Sequence, residues 1–361
     1  MAKNIQKDSI SSSVEQIFST IEKALEIVSN KGYLKQAKDE YEKKTSSIRN
    51  ESLLARPENK SQVTTIEQIY DNAVEGLEKI ATGNEESLTN EQKFATEAII
   101  LLEGRPPIAI ENNKFITQSP GTEWHILENY RNQIEKSILS VGRINLKGNL
   151  NYTWVGTGFL VSDDVLMTNA HVAIEFSKKQ GERWTFKSGQ TASIDYGQDA
   201  SLLNHNEFQI KEIIGIHNDY DLALLRVSNL SEGNQVPEPL KISQSFNDTN
   251  IKNKKVYVIG NPAKDSRRND PEEMERIFQG IYNVKRLQPG TIIGMAQDDE
   301  NIIYHDASTL GGNSGSCVID LETNKVIGLH FGGSYGDKNY AVALWKLVND
   351  PLLQETGVNF Q

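Results

Sequence analysis

Three residues lying far apart in the chain have the types needed for acyl transfer through a serine. They are His171 in Thr168-Asn169-Ala170-His171, Asp221 in Asp219-Tyr220-Asp221-Leu222-Ala223-Leu224-Leu225, and Ser314 in Gly311-Gly312-Asn313-Ser314-Gly315-Ser316. A serine hydroxyl is a poor nucleophile near neutral pH until a neighbouring base removes its proton. An imidazole, with an ordinary pKa of about 6.5, can take that proton and return it. A carboxylate on the other ring nitrogen fixes the tautomer and stabilises the imidazolium. The glycines before Ser314 have a backbone role, because a tetrahedral intermediate carries an oxyanion that needs two converging N–H donors. A tight turn free of Cβ atoms assigns those donors to Gly312 and Ser314.

Each segment alone has an ordinary explanation. A single histidine after an apolar run is usually a core or surface residue, an aspartate before Leu-Ala-Leu-Leu can be a strand-edge charge, and Gly-Asn-Ser-Gly is a common turn. The order His, Asp, Ser and the apolar runs flanking each member carry the chemical reading. Cys317 competes as a nucleophile, but its place in an apolar run beyond the serine turn predicts a buried thiol.

The elements that must position these groups fall into two patterns. Before residue 140 the periodicity is helical. Val14, Ile17, Phe18, Ile21, Leu25 and Val28 share one face, and a second helix is predicted over 33–48. Ile66, Ile69, Tyr70, Ala73, Val74, Leu77 and Ile80 share another, and Phe94 to Leu102 form a third apolar stripe stopped by Gly104 and Pro106-Pro107. A last helix is predicted over 122–139. After Ser140, short apolar or alternating runs replace helices, at 141–146, 153–161, 165–168, 222–227, 256–259, 291–295, 302–304, 316–319, 326–330 and 340–343. A short closing helix is expected over 344–349. Two stretches read as insertions: the polar 176–208 after the histidine, and the charged 265–278, each either surface decoration or a lid near the cleft.

Bulk properties narrow the classes. The 361 residues suffice for two or three domains, and 24% are charged. One cysteine excludes an internal disulfide and fits a reducing compartment. No apolar run is long enough to span a membrane, and the first residues lack the apolar stretch of a signal peptide, so a cytoplasmic protein is expected. The formal charge of −11 argues against nucleic acid as a partner. Neither a metal-ligand spacing nor a cofactor loop is found, so no metal and no cofactor are expected.

The motifs Gly156-Thr157-Gly158, Thr168-Asn169-Ala170-His171, Asp221-Leu222-Ala223-Leu224, Ser308-Thr309-Leu310-Gly311-Gly312-Asn313-Ser314-Gly315-Ser316 and Gly328-Leu329-His330-Phe331-Gly332-Gly333 resemble those of trypsin-like serine peptidases. Among these, the bacterial glutamyl endopeptidases and related intracellular peptidases are the most similar. The resemblance covers about 138–353, and it departs from the family at Cys317, where proline is usual. It implies an all-β double barrel of the chymotrypsin type over 139–361, joined by a linking helix at 121–138 to a helical regulatory or interaction domain at 1–120, an α+β multidomain chain. It also implies that residues before the nucleophile line the specificity pocket. Ser308 stands where a trypsin-like pocket has its acid, which argues against cleavage after Lys or Arg. Thr309 and His330 match positions that glutamyl endopeptidases use, where a hydroxyl and an imidazole or imidazolium would bind a Glu or Asp side chain. Gly332 and Gly333 would leave the pocket wall open, and a small uncharged side chain is the competing preference.

The expected function is an intracellular serine endopeptidase acting on protein or peptide substrates and controlled by a protein partner through its helical region. Relatives of this build resemble effectors of bacterial stress or defence systems. A protease-fold binding protein with little catalysis is the alternative, and control by a nucleotide at the helical domain is a third reading, without a phosphate-binding loop to support it.

Overall fold

The computed structural model describes residues 105–361 except 119, 202–204, 229, 232–233, 248–249, 265–276 and 335–337, together with Glu75, Lys79, Ser87 and Thr89. The helices expected before residue 105, and most of the charged 265–278 stretch, lie outside the described residues. The chain divides into two compact units, Met1–Leu102 and Glu103–Gln361. The second is described here.

In chain order it contains β1 (Ile108–Glu111), β2 (Lys114–Phe115), a 3-10 helix (Glu123–Tyr130) continuing into α1 (Arg131–Leu139), β3 (Val141–Lys147), β4 (Trp154–Leu160), β5 (Val165–Thr168), α2 (Ala170–Ile174), β6 (Ser177–Gln180), β7 (Arg183–Phe186), β8 (Thr191–Asp195), β9 (Glu207–Ile216) and β10 (Ala223–Val227). There follow β11 (Leu230–Ser231), β12 (Asn234–Gln235), β13 (Lys255–Gly260), β14 (Arg286–Met295), β15 (Ile302–His305), β16 (Cys317–Asp320), β17 (Val326–Ser334), β18 (Lys338–Ala343), a second 3-10 helix (Leu344–Leu347) and α3 (Pro351–Glu355).

Two antiparallel barrels result. The first closes in the order β10-β5-β4-β3-β8-β9. The second runs β13-β16-β17-β18-β15-β14 and closes through β13 on β14, with β1 and β2 added beyond β14. Closure removes the exposed strand edges that invite aggregation. Strand periodicity assigns side chains to two environments. Val256 and Val258 enter the interior of the second barrel with Ile292, Ile303, Val318 and Ile327. Tyr257 and Ile259, on the opposite face of β13, join a layer holding Val141, Phe159, Met167, Leu224 and Leu287, which draws on strands of both barrels. In β10, Ala223 and Leu225 face the first barrel's interior while Leu224 joins the shared layer. Each site residue is thus carried by strands buried on both faces.

Two expectations need correction. The 176–208 stretch is not an insertion: it contains the β6–β7 hairpin, barrel strand β8 and the start of β9. Its polarity hid the strands because the polar groups are satisfied internally. Ser193 donates to Glu207 at 2.5 Å, and Asp195, 1% exposed, accepts from the backbone N–H groups of Gly197 and Asn206. The helix predicted over 122–139 is 3-10 up to Tyr130 and α only from Arg131. It buries Trp124, Leu127, Ile134 and Ile138 as its stripe requires. Strand β1 was not expected; it pairs Ile108 with Leu287 and so ties the chain before residue 120 into the second barrel.

Candidate active site

Strand β5 ends at Thr168, and Asn169 turns the chain into α2, one residue before His171. The Asn169 amide donates to the Asp221 backbone carbonyl at 2.8 Å, linking the two segments. The Asp221 carboxylate accepts twice from His171: from the backbone N–H at 2.9 Å and from the ring at Nδ1, 2.6 Å away. A carboxylate only accepts, so Nδ1 carries the proton and Nε2 presents a lone pair. The imidazole is half exposed and the carboxylate about a quarter exposed.

The Asp221 loop has its own anchor. The N–H groups of Asp219 and Tyr220 both donate to His217 Nδ1 at 3.0 Å, so His217 must carry its proton on Nε2, which donates to Asp350 at 3.0 Å. Sequence reasoning missed His217 and Asp350. The spacing His217 to Asp221 was visible, but Asp350 reaches this loop only through tertiary folding.

The turn bearing Ser314 docks on β4 and β17. Thr157 N–H donates to the Ser314 carbonyl at 2.9 Å, and Gly315 N–H to the His330 carbonyl at 3.0 Å. Gly156 lies between the two halves of the site: a Cβ there would come within 2.8 Å of Val172, the neighbour of His171, and 2.9 Å of the Ser314 carbonyl oxygen. Gly315 has φ +87°, and a Cβ on it would collide with the Thr157 carbonyl and the Thr168 hydroxyl. Only glycine fits that backbone and that gap. Gly312, at φ +86°, is closed in by Asn261 and Trp154. Its carbonyl accepts from the Thr157 hydroxyl at 2.8 Å, and the Gly311 carbonyl accepts from Ala263 N–H at 2.6 Å. The carbonyls of the turn are thereby fixed outward, while the N–H groups of Gly312 and Ser314 donate to no acceptor among the described residues.

Asn313 is fully buried beneath the turn and exchanges two hydrogen bonds with Gln288: Gln288 Nε2 donates to Asn313 Oδ1 at 2.9 Å, and Asn313 Nδ2 donates to Gln288 Oε1 at 3.1 Å. This neutral amide pair was not expected. Gln288, Pro289 and Gly290 all lie within β14, where Pro289 pairs with Tyr257.

The residues expected to line a pocket form one neighbourhood. The Thr309 hydroxyl donates to Asn339 Oδ1 at 2.7 Å, Asn339 Nδ2 donates to the Ala307 carbonyl, and the Ser308 hydroxyl donates to the Arg105 carbonyl at 2.8 Å. Both hydroxyl protons are therefore engaged. Arg105 also bonds Asp306 at 2.6 Å. His330 is 2% exposed, and its Nδ1 lies 3.1 Å from Nε2 of the fully buried His305. Burial, with His305 and His171 adding to it, holds His330 well below the usual imidazole range, and burial alone brings His305 down to about 3. Of the two expected forms, this favours the neutral imidazole over the imidazolium near neutral pH. A Cβ on Gly332 would meet open space, whereas one on Gly333 would strike the Asn339 side chain. Asn339, Arg105 and His305 were not singled out from sequence: each lies outside the recognisable motifs and arrives through β18, β1 and β15 packing.

Comparison with known proteins bears on this arrangement. A family model described as trypsin-like peptidase domain matches residues 156–329, from β4 into β17, and so includes His171, Asp221 and Ser314. The chain carries a trypsin-like serine protease domain. A probable serine protease of Lysobacter enzymogenes is 29% identical over 311 residues, which cover 77% of this chain and 79% of that protein. A glutamyl endopeptidase of Staphylococcus epidermidis is 29% identical over 191 residues, covering 52% of this chain and 57% of that protein. The crystal structure of a protease from M. tuberculosis in its active form is similar at 18% identity and a TM-score of 0.43, covering 70% of this chain and 91% of that one.

Within the protease domain, two more groups have defined states. Cys317 is fully buried in β16, and burial pushes its thiol up to about 12, so it presents no thiolate. Lys285, also fully buried, donates to the Ile138 and Tyr196 carbonyls at 2.8 Å each, and burial brings it down to about 8 against the pull of Asp199 and Asp195. Among the described residues, no group of three or more His, Cys, Asp or Glu could hold a metal ion, and no helix is long and apolar enough to cross a membrane.

Proposed function

We propose that the protease domain cleaves peptide bonds with Ser314 as nucleophile, His171 as general base and Asp221 as the group that orients and stabilises the imidazole. The observation that carries this reading is the His171–Asp221 pair, 2.6 Å apart, with His171 on a helix whose Val172 packs against Gly156 beside the Ser314 carbonyl. The Nδ1–H tautomer imposed by Asp221 leaves Nε2 free to take the serine proton, then to return it to the leaving amine. The N–H groups of Gly312 and Ser314 supply the oxyanion donors, held by the outward-bonded carbonyls of the same turn. Water completes the cycle by attacking the acyl-enzyme. This chemistry uses no metal and no cofactor.

We further propose that the side chain before the scissile bond is Glu or Asp, recognised by the neutral His330 as an N–H donor. The glutamyl endopeptidase relatives and the open backbone at Gly332 support it. A second reading, a small uncharged side chain, is favoured by one observation: the Ser308 and Thr309 protons are already engaged and the Arg105 charge is matched by Asp306. Control through the helical region by a protein partner, and action inside a bacterial cell, rest on the sequence pattern and on the single buried cysteine.

Ser314→Ala should remove peptidase activity by several orders of magnitude without unfolding the protein. Mapping of cleavage sites with the purified wild type should show Glu or Asp before the cut. Wild-type turnover by the alanine variant would defeat the catalytic assignment. Cuts after Lys, Arg or large aromatic residues would defeat the acidic preference, and cuts after Ala, Ser or Gly would select the second reading.

A further inference from the structure

We infer that His305 is a positioning residue for substrate selection: it locks the His330 ring in the tautomer that carries its proton on Nε2, the ring nitrogen not engaged by His305. This rests on the acidic preference proposed above, and it concerns a residue outside the recognisable motifs.

The argument starts from hydrogen-bond accounting. His305 ends β15, with Ile292 beside it on β14 and Asn339 beside it on β18. It is fully buried, and its ring stands edge-on to His330, with centroids 5.2 Å apart and an interplanar angle of 65°. One nitrogen, Nε2, meets His330 Nδ1 at 3.1 Å. The other, Nδ1, is buried without a hydrogen-bond partner among the described residues. One proton must lie between the two facing nitrogens, and two arrangements satisfy this.

In the first, His305 carries its proton on Nε2 and donates it to His330 Nδ1. The orphaned His305 Nδ1 is then a bare lone pair, and His330 must carry its own proton on Nε2. In the second, His330 donates from Nδ1, and His305 must carry its proton on Nδ1, a buried N–H with no acceptor. Orphaned buried N–H groups are rarer and costlier than under-satisfied acceptors. The first arrangement therefore prevails. Protonating either ring would add a buried charge, or set N–H against N–H, so the pair stays neutral.

The consequence reaches the pocket. With Nδ1 occupied by the His305 proton, the remaining ring nitrogen of His330 is a donor. A donor at that edge binds a carboxylate oxygen, whereas the other tautomer would present a lone pair and repel it. His305 thus supplies specificity without touching substrate, and without the positive charge that burial forbids here.

Two variants and one spectroscopic measurement test this. His305→Phe keeps the volume and cannot donate, whereas His305→Gln restores a donor. In wild type, nitrogen NMR of the labelled imidazoles should show His330 with a proton on Nε2 and a lone pair on Nδ1. In His305→Phe, kcat/KM for a peptide with Glu before the cut should fall about tenfold or more, mostly through KM. Cleavage after Ala and fluorophosphonate labelling of Ser314 should stay near wild type, and His305→Gln should recover most of the loss. A His330 proton on Nδ1 in wild type would overturn the inference whatever the substrate preference. So would equal losses on Glu and Ala peptides, which mark a merely structural role, or Glu cleavage unchanged in His305→Phe. If wild type shows no preference for Glu while His330 has the Nε2–H tautomer, the acidic reading fails and His305 still sets the ring's polarity.

Discussion

The interior of the first barrel is filled by Ile144, Leu160, Leu166, Ile194, Phe208 and Leu225, and its contribution to the site, His171 and Asp221, sits at the rim with the imidazole half exposed. The second barrel is different. It buries His305, His330, Gln288 and Asn313 under the serine turn, with Lys285 and Arg286 nearby on β14, each at 2% exposure or less. In the proposed role His171 must reach solvent, substrate and the serine, and must change charge during turnover, so burial would work against it. The turn and the pocket must keep one shape and one set of donors, and buried, hydrogen-bonded polar groups hold such a shape because any alternative leaves them unsatisfied. On the proposed reading, one half of the site serves proton transfer and the other fixed geometry.

That division can be broken from either side. The largest effect is expected at the exposed half. Asp221→Asn keeps the shape but offers His171 the wrong partner, and kcat should fall about 10⁴-fold while thermal stability changes little. A fall of less than about tenfold, measured on any cleaved peptide, would mean that the imidazole is oriented by something other than Asp221.

In the buried half the effect should appear in stability first. Gln288→Leu removes two hydrogen bonds from the buried Asn313 amide and should cost about 1–3 kcal/mol in urea unfolding. The double variant Gln288→Leu with Asn313→Leu should cost less than the two single losses added together, since the pair fails as a unit. Additive losses would show that the amide pair does not hold the turn.

The smallest effect sharpens the contrast by pH. The folded-state pKa of His305 is depressed to about 3, and that of His330 lies well below the ordinary 6.5. Above pH 6.5 neither folded nor unfolded chain protonates these rings, and their contribution to stability is fully present. As pH falls from 6.5 toward 3, the unfolded chain binds a proton at His305 that the folded one refuses, so stability declines by up to roughly 1.4 kcal/mol per pH unit from this ring, and His330 acts in the same direction. His305→Phe should flatten the slope by one ring's share over that window. An unchanged slope would place the protonation elsewhere.

The sequence alone carried the proposed chemistry and most of the frame. His171, Asp221 and Ser314 were legible because each is flanked by strands whose sides are buried in both directions, giving apolar runs such as Val165-Leu166-Met167 and Ala223-Leu224-Leu225 that composition exposes directly. The glycines at 312 and 315 were legible because backbone at φ near +86° and +87° admits little else. Strands β8 and β9 were not legible, since Ser193 and Asp195 look like loop residues until Glu207 and Asn206 are brought opposite them. Strand β1 was hidden behind Pro106-Pro107, and its partner Leu287 lies far along the chain. The charge state of the pocket was decided by tertiary structure alone. An imidazole at position 330 could be cationic or neutral by sequence, and only the burial of its ring against His305, from a different strand, fixes it as neutral, because removing a charge from water costs more than any partner here returns.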